Sequence, residues 1–317
     1  MKRLDRLGLG CMGMSCYRNP ENSLKTIRYA LDSGVTLLNT GEFYNAGESE
    51  MIVGQALKGV NRDDYFLSVK FGVLPLPQGG IYGLDVNPFN VKGHLTYSLR
   101  RLGLDYVDLY QPARPDAEIP VEDVVGAIAD EVKAGYVKNI GLSMVDAETL
   151  RRACKVHPIH TVEMEYSLIE RGIENELIAA AKELGVKVLA FGTVGHGLLT
   201  DDILTNGAKN PRMAMGLLSA ENREHNLSVI RKVKEIADQK RCSLSQLALL
   251  WSLSKYDHVQ SLIGTTNPEH LQSAIDALRF TLTEEEIARL ENIISAEKIK
   301  GKSMRNFRFS GGVAKIL

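Results

Sequence analysis

Eight short runs of β-forming residues alternate with eight stretches of helical periodicity, and this alternation narrows the architecture more than any other property of the chain. The runs "RLGLG", "VTLLN", "YFLSVK" and "YVDLYQ" precede helices expected at Asn22–Ser33, Ser49–Leu57, Asn90–Leu102 and Val121–Ala134. The runs "VKNIGLS", "HTVEMEY", "VKVLAFG" and "VQSLIGT" precede helices expected at Asp146–Lys155, Asn175–Leu184, Ala220–Gln239 and Pro268–Ala277. The strands are short and apolar on both sides, as parallel strands covered by helices must be. Eight such units in 317 residues specify an α/β chain folded as a (β/α)8 TIM barrel, a fold that typically takes ~250 residues. The surplus includes two additional helices, Ser245–Lys255 and Thr283–Ser295, the second headed by the capping-box pattern "TEEE". No linker, repeat or low-complexity segment divides the sequence, so residues 1–317 read as one domain. An open doubly wound sheet is the alternative.

Charge and cysteine usage exclude several classes of partner. Lys and Arg number 38 against 39 Asp and Glu, for a net charge of −1, and the two signs are interspersed. No basic stripe offers itself to nucleic acid and no polybasic segment to a membrane, so the expected partner is a small molecule. Apolar stretches such as "VKVLAFGTVG" fall well short of the ~20 residues of a membrane span. The start, "MKRLDRLGLG", lacks the apolar centre of a signal peptide. Cys11, Cys16, Cys154 and Cys242 form neither a zinc pattern nor an obvious disulfide framework, which suits a reducing, cytoplasmic compartment. His157 and His160 flank Pro158 in "HPIH", which breaks the helical geometry two metal-binding histidines would need, and no metal site is expected.

Gly8-Leu9-Gly10-Cys11-Met12-Gly13 spells G-x-G-x-x-G after a strand. In a dinucleotide fold the third glycine opens a helix that faces the pyrophosphate, whereas "MSCYRNPEN" intervenes here before any helical pattern. The glycines are expected instead to let the first strand end close to a ligand or a neighbouring loop.

A barrel of this kind does its chemistry where the strands end at their C-termini. That places Asn39 and Tyr44 after the second strand, Lys70 on the third, Tyr110 to Arg114 at the fourth, Ser143 at the fifth, Glu163 on the sixth and Phe191 at the seventh. A lysine ammonium beside a phenol favours the phenolate and lowers a pKa that starts near ~10, and a phenol tuned in this way can protonate a developing alkoxide. Other chemistries compete: Lys70 as a Schiff-base lysine, and Glu163 with Glu165, on one face of a strand, as a glycosidase carboxylate pair.

In order along the chain, "GLGCMGMS", "NTGEFYNAGESEMIVGQAL", "SVKFG", "DLYQPARPD", "GLS", "EYSL" and "GTTNPEHLQSAI" resemble the aldo-keto reductase superfamily over nearly the whole length. The resemblance implies that Tyr44 is the proton donor and Lys70 its activator. It also marks two departures: the lysine-paired aspartate is Asn39, which offers no countercharge, and the substrate-facing histidine is Ala113, a subgroup trait with "PAR" in its place. By the same resemblance Ser143 holds the nicotinamide carboxamide, Glu163 replaces a glutamine that helps hold it, Phe191 stacks on the ring and Met144 replaces a frequent asparagine. Gly10, Cys11 and Met12 end the first strand beside the cofactor. The segment Gly192, Thr193, Gly195 and Gly197 runs along the pyrophosphate, and Thr265, Asn267, His270 and Ser273 line the adenosine end. The implied function is an NADP(H)-dependent, monomeric oxidoreductase interconverting a carbonyl and an alcohol. An NADPH-sensing barrel with little turnover is the alternative.

Overall fold

The computed structural model describes residues 3–77, 80–205, 216–295, 299–301 and 307–316. Eight parallel strands close into a barrel: β1 (Leu7–Gly10), β2 (Leu37–Gly41), β3 (Phe66–Phe71), β6 (Val107–Pro112), β7 (Val137–Ser143), β8 (Ile159–Glu165), β9 (Lys187–Phe191) and β10 (Val259–Gly264). Each pairs with its neighbour along the chain, and β1 joins β10 through Leu7↔Ser261 to Gly10↔Gly264 to seal the cylinder. The alternation of strands and helices therefore builds the expected (β/α)8 barrel, and the open sheet is set aside.

Helices cover the outside: α1 (Pro20–Asp32), α2 (Glu48–Leu57), α3 (Val91–Leu102), α4 (Val121–Lys133), α5 (Ala147–Val156), α6 (Leu177–Glu183), α8 (Arg223–Lys240) and α10 (Pro268–Ala277). Their ends follow local chemistry. Pro20 opens α1, where its missing N–H costs nothing, and the Asp146 carboxylate accepts from Thr149 N at the start of α5. Helix α2 lies so close to α3 that a Cβ on Gly54 would stand 2.4 Å from the Leu102 carbonyl oxygen.

Both additional helices are present, as α9 (Leu244–Ser254) and α11 (Glu284–Ile293), and each begins with a reciprocal capping box, Ser243 with Gln246 and Thr283 with Glu286. Glu291 of α11 accepts from Trp251 Nε1 of α9 at 3.2 Å and pairs with Lys255 and Arg171. Beyond the sequence reading lie a short helix α7 (Asp201–Thr205) and an antiparallel sheet in the order β11-β12-β5-β4. This sheet joins β4 (Val73–Pro75) and β5 (Ile81–Leu84), just after β3, to β11 (Phe307–Ser310) and β12 (Val313–Ile316) near the end of the chain.

Side chains alternate between the two faces of each barrel strand. Leu9, Leu38, Leu67, Val69, Phe71 and Tyr110 point outward into one continuous core under the helices. Inside the barrel, Leu37, Leu189 and Leu262 form a separate apolar layer with Phe66 and Phe191. Polar residues lie above that layer, toward the strand C-termini.

Candidate active site

Lys70, at the end of β3, is 3% exposed and sits at the centre of the mouth. Its ammonium donates to Asn39 Oδ1 at 2.5 Å and to Glu163 Oε1 and Oε2 at 2.9 and 3.1 Å. Asn39 Nδ2 and Gln111 Nε2 each donate to Glu163 Oε2 at 2.7 Å, and both amides also reach Ser68 Oγ. These five side chains come from four strands, and each projects inward because it falls on the inner parity of its strand.

Tyr44 stands over this cluster with its ring centroid 5.2 Å from Lys70 Nζ. It begins a tight turn, Tyr44–Gly47, in which Asn45 and Ala46 both take positive φ, 50° and 52°. Left-handed backbone costs an L-residue ~1–2 kcal/mol, and it persists here because Asn45 Nδ2 is anchored on Met14 O at 2.8 Å. Strain stored beside a strand end is a common mark of a functional loop.

The electrostatics modify the expectation for Tyr44. Burial raises its pKa above the ordinary phenol value, the Lys70 ammonium pulls it back, and Glu163 pushes it up again, so the net direction is upward. Lys70 acts with the expected sign, but desolvation outweighs it, and the phenol remains protonated at neutral pH. For Lys70, burial works against the charge, but Glu163 and Tyr44 more than compensate, and its pKa is raised. An amine held as ammonium is no nucleophile, which argues against the Schiff-base role. The expectation that Asn39 leaves Lys70 without a countercharge is also corrected: Glu163 supplies it. Glu165 does not join Glu163 as a carboxylate pair, since its Oε1 engages His196 Nε2 at 2.9 Å.

Ala113 is buried, with its N–H on Phe71 O at 2.9 Å, and offers no donor to the mouth. The following Arg114 is half-buried, its Nη1 donating to Ala113 O at 2.8 Å, and it has no ion-pair partner among the described residues. Burial lowers its pKa, while Tyr44, Glu163 and Glu165 hold it up. Tyr110, grouped with the mouth in the sequence reading, faces outward and stacks on Phe71 with ring centroids 4.6 Å apart.

The cofactor candidates divide by position. Ser143 is 1% exposed, its hydroxyl is buried with no hydrogen-bond partner among the described residues, and it pairs in register with Glu163. Met144 follows in the left-handed region at φ 54°, its N–H on Glu163 O. Phe191 is half-buried at the end of β9. Gly192, buried Thr193, Gly195 and Gly197 form a loop whose glycines all take positive φ, although the N–H groups of Gly195 and Gly197 already close turns onto Gly192 O and Val194 O. Gly10 ends β1; beyond it Cys11 is buried, its thiol pushed up to about 12 by desolvation, and Met12 is exposed. Beside β1, past the end of the neighbouring β10, Thr265 Oγ1 accepts from Asn267 N and contacts His270 Nδ1, Asn267 caps α10, and Ser273 lies within α10. An orphaned hydroxyl beside the catalytic-type cluster, flanked by a glycine loop and a helix N-terminus, fits a nicotinamide dinucleotide lying across the strand ends. A hollow of about 500 Å³ lined by Arg28, Asp32, Asp63 and Asp64 lies at the opposite end of the barrel, away from these residues.

Sequence reasoning named Gln111 and Arg114 only within the run Tyr110 to Arg114, and it missed Ser68 as a member of the cluster and the Glu165–His196 pair. Ser68 lies two residues before Lys70, and same-face periodicity would have placed it.

A buried lysine, a phenol and a carboxylate thus lie together at the C-terminal mouth of a parallel barrel. The family model for the aldo/keto reductase family matches residues 6–295, and the chain belongs to this family of NADP(H)-dependent oxidoreductases acting on carbonyls and alcohols. It is 32% identical to the "Probable aldo-keto reductase 1" of Glycine max over 311 residues, covering 94% of this chain and 88% of that one. Among solved structures it is similar to the glycerol dehydrogenase of Gluconobacter oxydans, with a TM-score of 0.83, 25% identity, and 92% and 91% of the two chains covered. It is also similar to an aldo-keto reductase from Bacillus halodurans in its holo form, with a TM-score of 0.76, 27% identity, and 92% of each chain covered. Among the described residues no helix is long and apolar enough to cross a membrane.

Proposed function

We propose that the chain is a single-domain, monomeric, cytoplasmic reductase of small carbonyl compounds in which Tyr44 is the general acid. Bound NADP(H) would supply or take up the hydride. Ser143 would hold its carboxamide, Phe191 would lie against its ring, and the Gly192–Gly197 loop with Thr265, Asn267, His270 and Ser273 would hold the rest. The Tyr44 O–H gives its proton to the oxygen of the carbonyl as negative charge develops there, and the Lys70 ammonium stabilises the phenolate left behind. In the reverse direction the same phenolate accepts the proton of an alcohol. The observation that carries this reading is the buried Lys70 ammonium 5.2 Å from the centroid of the Tyr44 ring.

Ala113 and Arg114 bear on the substrate. With no donor at 113, the carbonyl oxygen is held by Tyr44 and by groups the substrate itself supplies, with the Arg114 guanidinium beside them. Tyr44→Phe removes only the proton donor, so turnover of a verified substrate should fall by ~10²–10⁴, with NADPH affinity within a few-fold of wild type. Undiminished turnover in the variant removes Tyr44 from the mechanism. The missing donor at Ala113 favours a second reading, an NADPH-sensing barrel. Single-turnover oxidation of bound NADPH by a panel of carbonyls separates the two, because a sensor leaves the cofactor reduced.

A further inference from the structure

Three donors converge on one carboxylate beneath Tyr44. Lys70 Nζ reaches both oxygens of Glu163, while Asn39 Nδ2 and Gln111 Nε2 share Oε2. Glu163 and Lys70 are each 3% exposed and Asn39 is 2% exposed, so water does not screen the pair. The orientation of Asn39 is dictated: its oxygen faces an ammonium and its N–H faces a carboxylate, and a flipped amide would meet both neighbours with the wrong group. The cluster therefore needs one carboxylate and one amide on these two strands. A pair of amides would leave the buried ammonium without a counter-ion, and a pair of carboxylates would stand 2.7 Å apart.

We propose that Glu163 is the counter-ion that keeps Lys70 charged and aimed at Tyr44, a positioning residue on β8 doing for this mouth what the amide of Asn39 on β2 does not. Because Glu163 pairs in register with Ser143, the negative charge lies on the side of the barrel where the free Ser143 hydroxyl sits. Besides Glu163, the titratable groups acting on this centre include the Tyr44 phenol, the Cys11 thiol and the Arg114 guanidinium, and Glu165 acts on Arg114 from the same face of β8. The Glu165 carboxylate engages His196 Nε2 at 2.9 Å, whereas the Glu163 carboxylate is the one in contact with Lys70 Nζ.

The role of Tyr44 in turnover comes from the preceding reading, so the test is read on Lys70 itself in cofactor-free protein. The ¹³Cε resonance of Lys70, assigned with Lys70→Met, is followed through a pH titration. In wild type it should titrate above the ordinary ~10.4. In Glu163→Gln it should fall by about one pH unit or more. In the exchange Asn39→Asp with Glu163→Gln, which swaps carboxylate and amide across the same hydrogen bond, it should return toward the wild-type value. Should Glu163→Gln not fold, Glu163→Asp draws the carboxylate away from Nζ and must shift Lys70 in the same downward direction. The basic limb of the kcat/KM profile should move with Lys70 in each variant. An unmoved Lys70 titration in the single variant, or an exchange variant as low as Glu163→Gln, overturns the proposal. A Lys70 titration that moves as expected in a protein that reduces no carbonyl leaves this inference standing and removes the reductase reading instead.

Discussion

Met144, directly after Ser143, takes φ 54°, a conformation that Asn enters far more readily than a long unbranched side chain. Met144→Asn should therefore stabilise the protein by ~0.5–1 kcal/mol. Urea unfolding would measure it, and a loss of stability would mean that packing of the methionine outweighs its backbone strain. The same neighbourhood shows what a sequence can and cannot convey about a site. Tyr44 and Lys70 were legible because strand ends are where barrels do chemistry and because the two groups act on each other. The partner of Lys70 was not, because it lies 93 residues away and the two meet only when the barrel closes. Asn39 read as a lost charge for the same reason. A side chain's own identity shows what it lacks, and only the fold shows what a neighbour supplies. One practical consequence is that Asn39→Asp alone does not recreate an ordinary lysine–aspartate pair here, since it sets a second carboxylate against Glu163.

At the scale of elements, helix periodicity and capping chemistry were sufficient for all eight barrel helices, with ends displaced by at most a few residues. The β4–β5 hairpin was hidden because "VLPLPQGGIYGL" carries two prolines and paired glycines, and its sheet is completed by strands from the far end of the chain. Side chains fasten these late-joining pieces. The buried Asp116 carboxylate accepts from the backbone N–H groups of Gly311 and Gly312 at 3.1 and 2.8 Å, tying the tail to the loop after β6. On α3, His94 pairs with Glu42, which follows β2, and with Asp85, which follows β5. Burial opposes the charged imidazole, but the two carboxylates overcome it and raise the His94 pKa above the ordinary ~6.5. A raised histidine pKa adds stability that is fully present below ~6.5 and is lost as pH climbs through the folded-state value. His94→Gln should therefore cost more stability at pH 6 than at pH 9. An equal loss at both pH values would show that the imidazole contributes packing and not charge.

The whole molecule is held closed by a seam whose two sides lie at opposite ends of the barrel sequence. Leu7–Gly10 pairs with Ser261–Gly264, and Arg6 reinforces the seam by donating to Val259 O and Tyr256 O, the former across 253 residues. The other neighbouring pairs of the barrel join strands that follow one another in chain order, so β1, made first, waits for the last barrel strand. A chain ending at residue 258 should consequently be cut by protease throughout β1 and α1, whereas one ending at residue 295 should resist. Equal resistance would show that the seam is dispensable. On a ribosome adding ~5–20 residues per second, the first strand emerges roughly 10–50 s before the strand that completes it. Until then its backbone groups form an open edge able to pair with another chain, a hazard that ends only when the last barrel strand covers it.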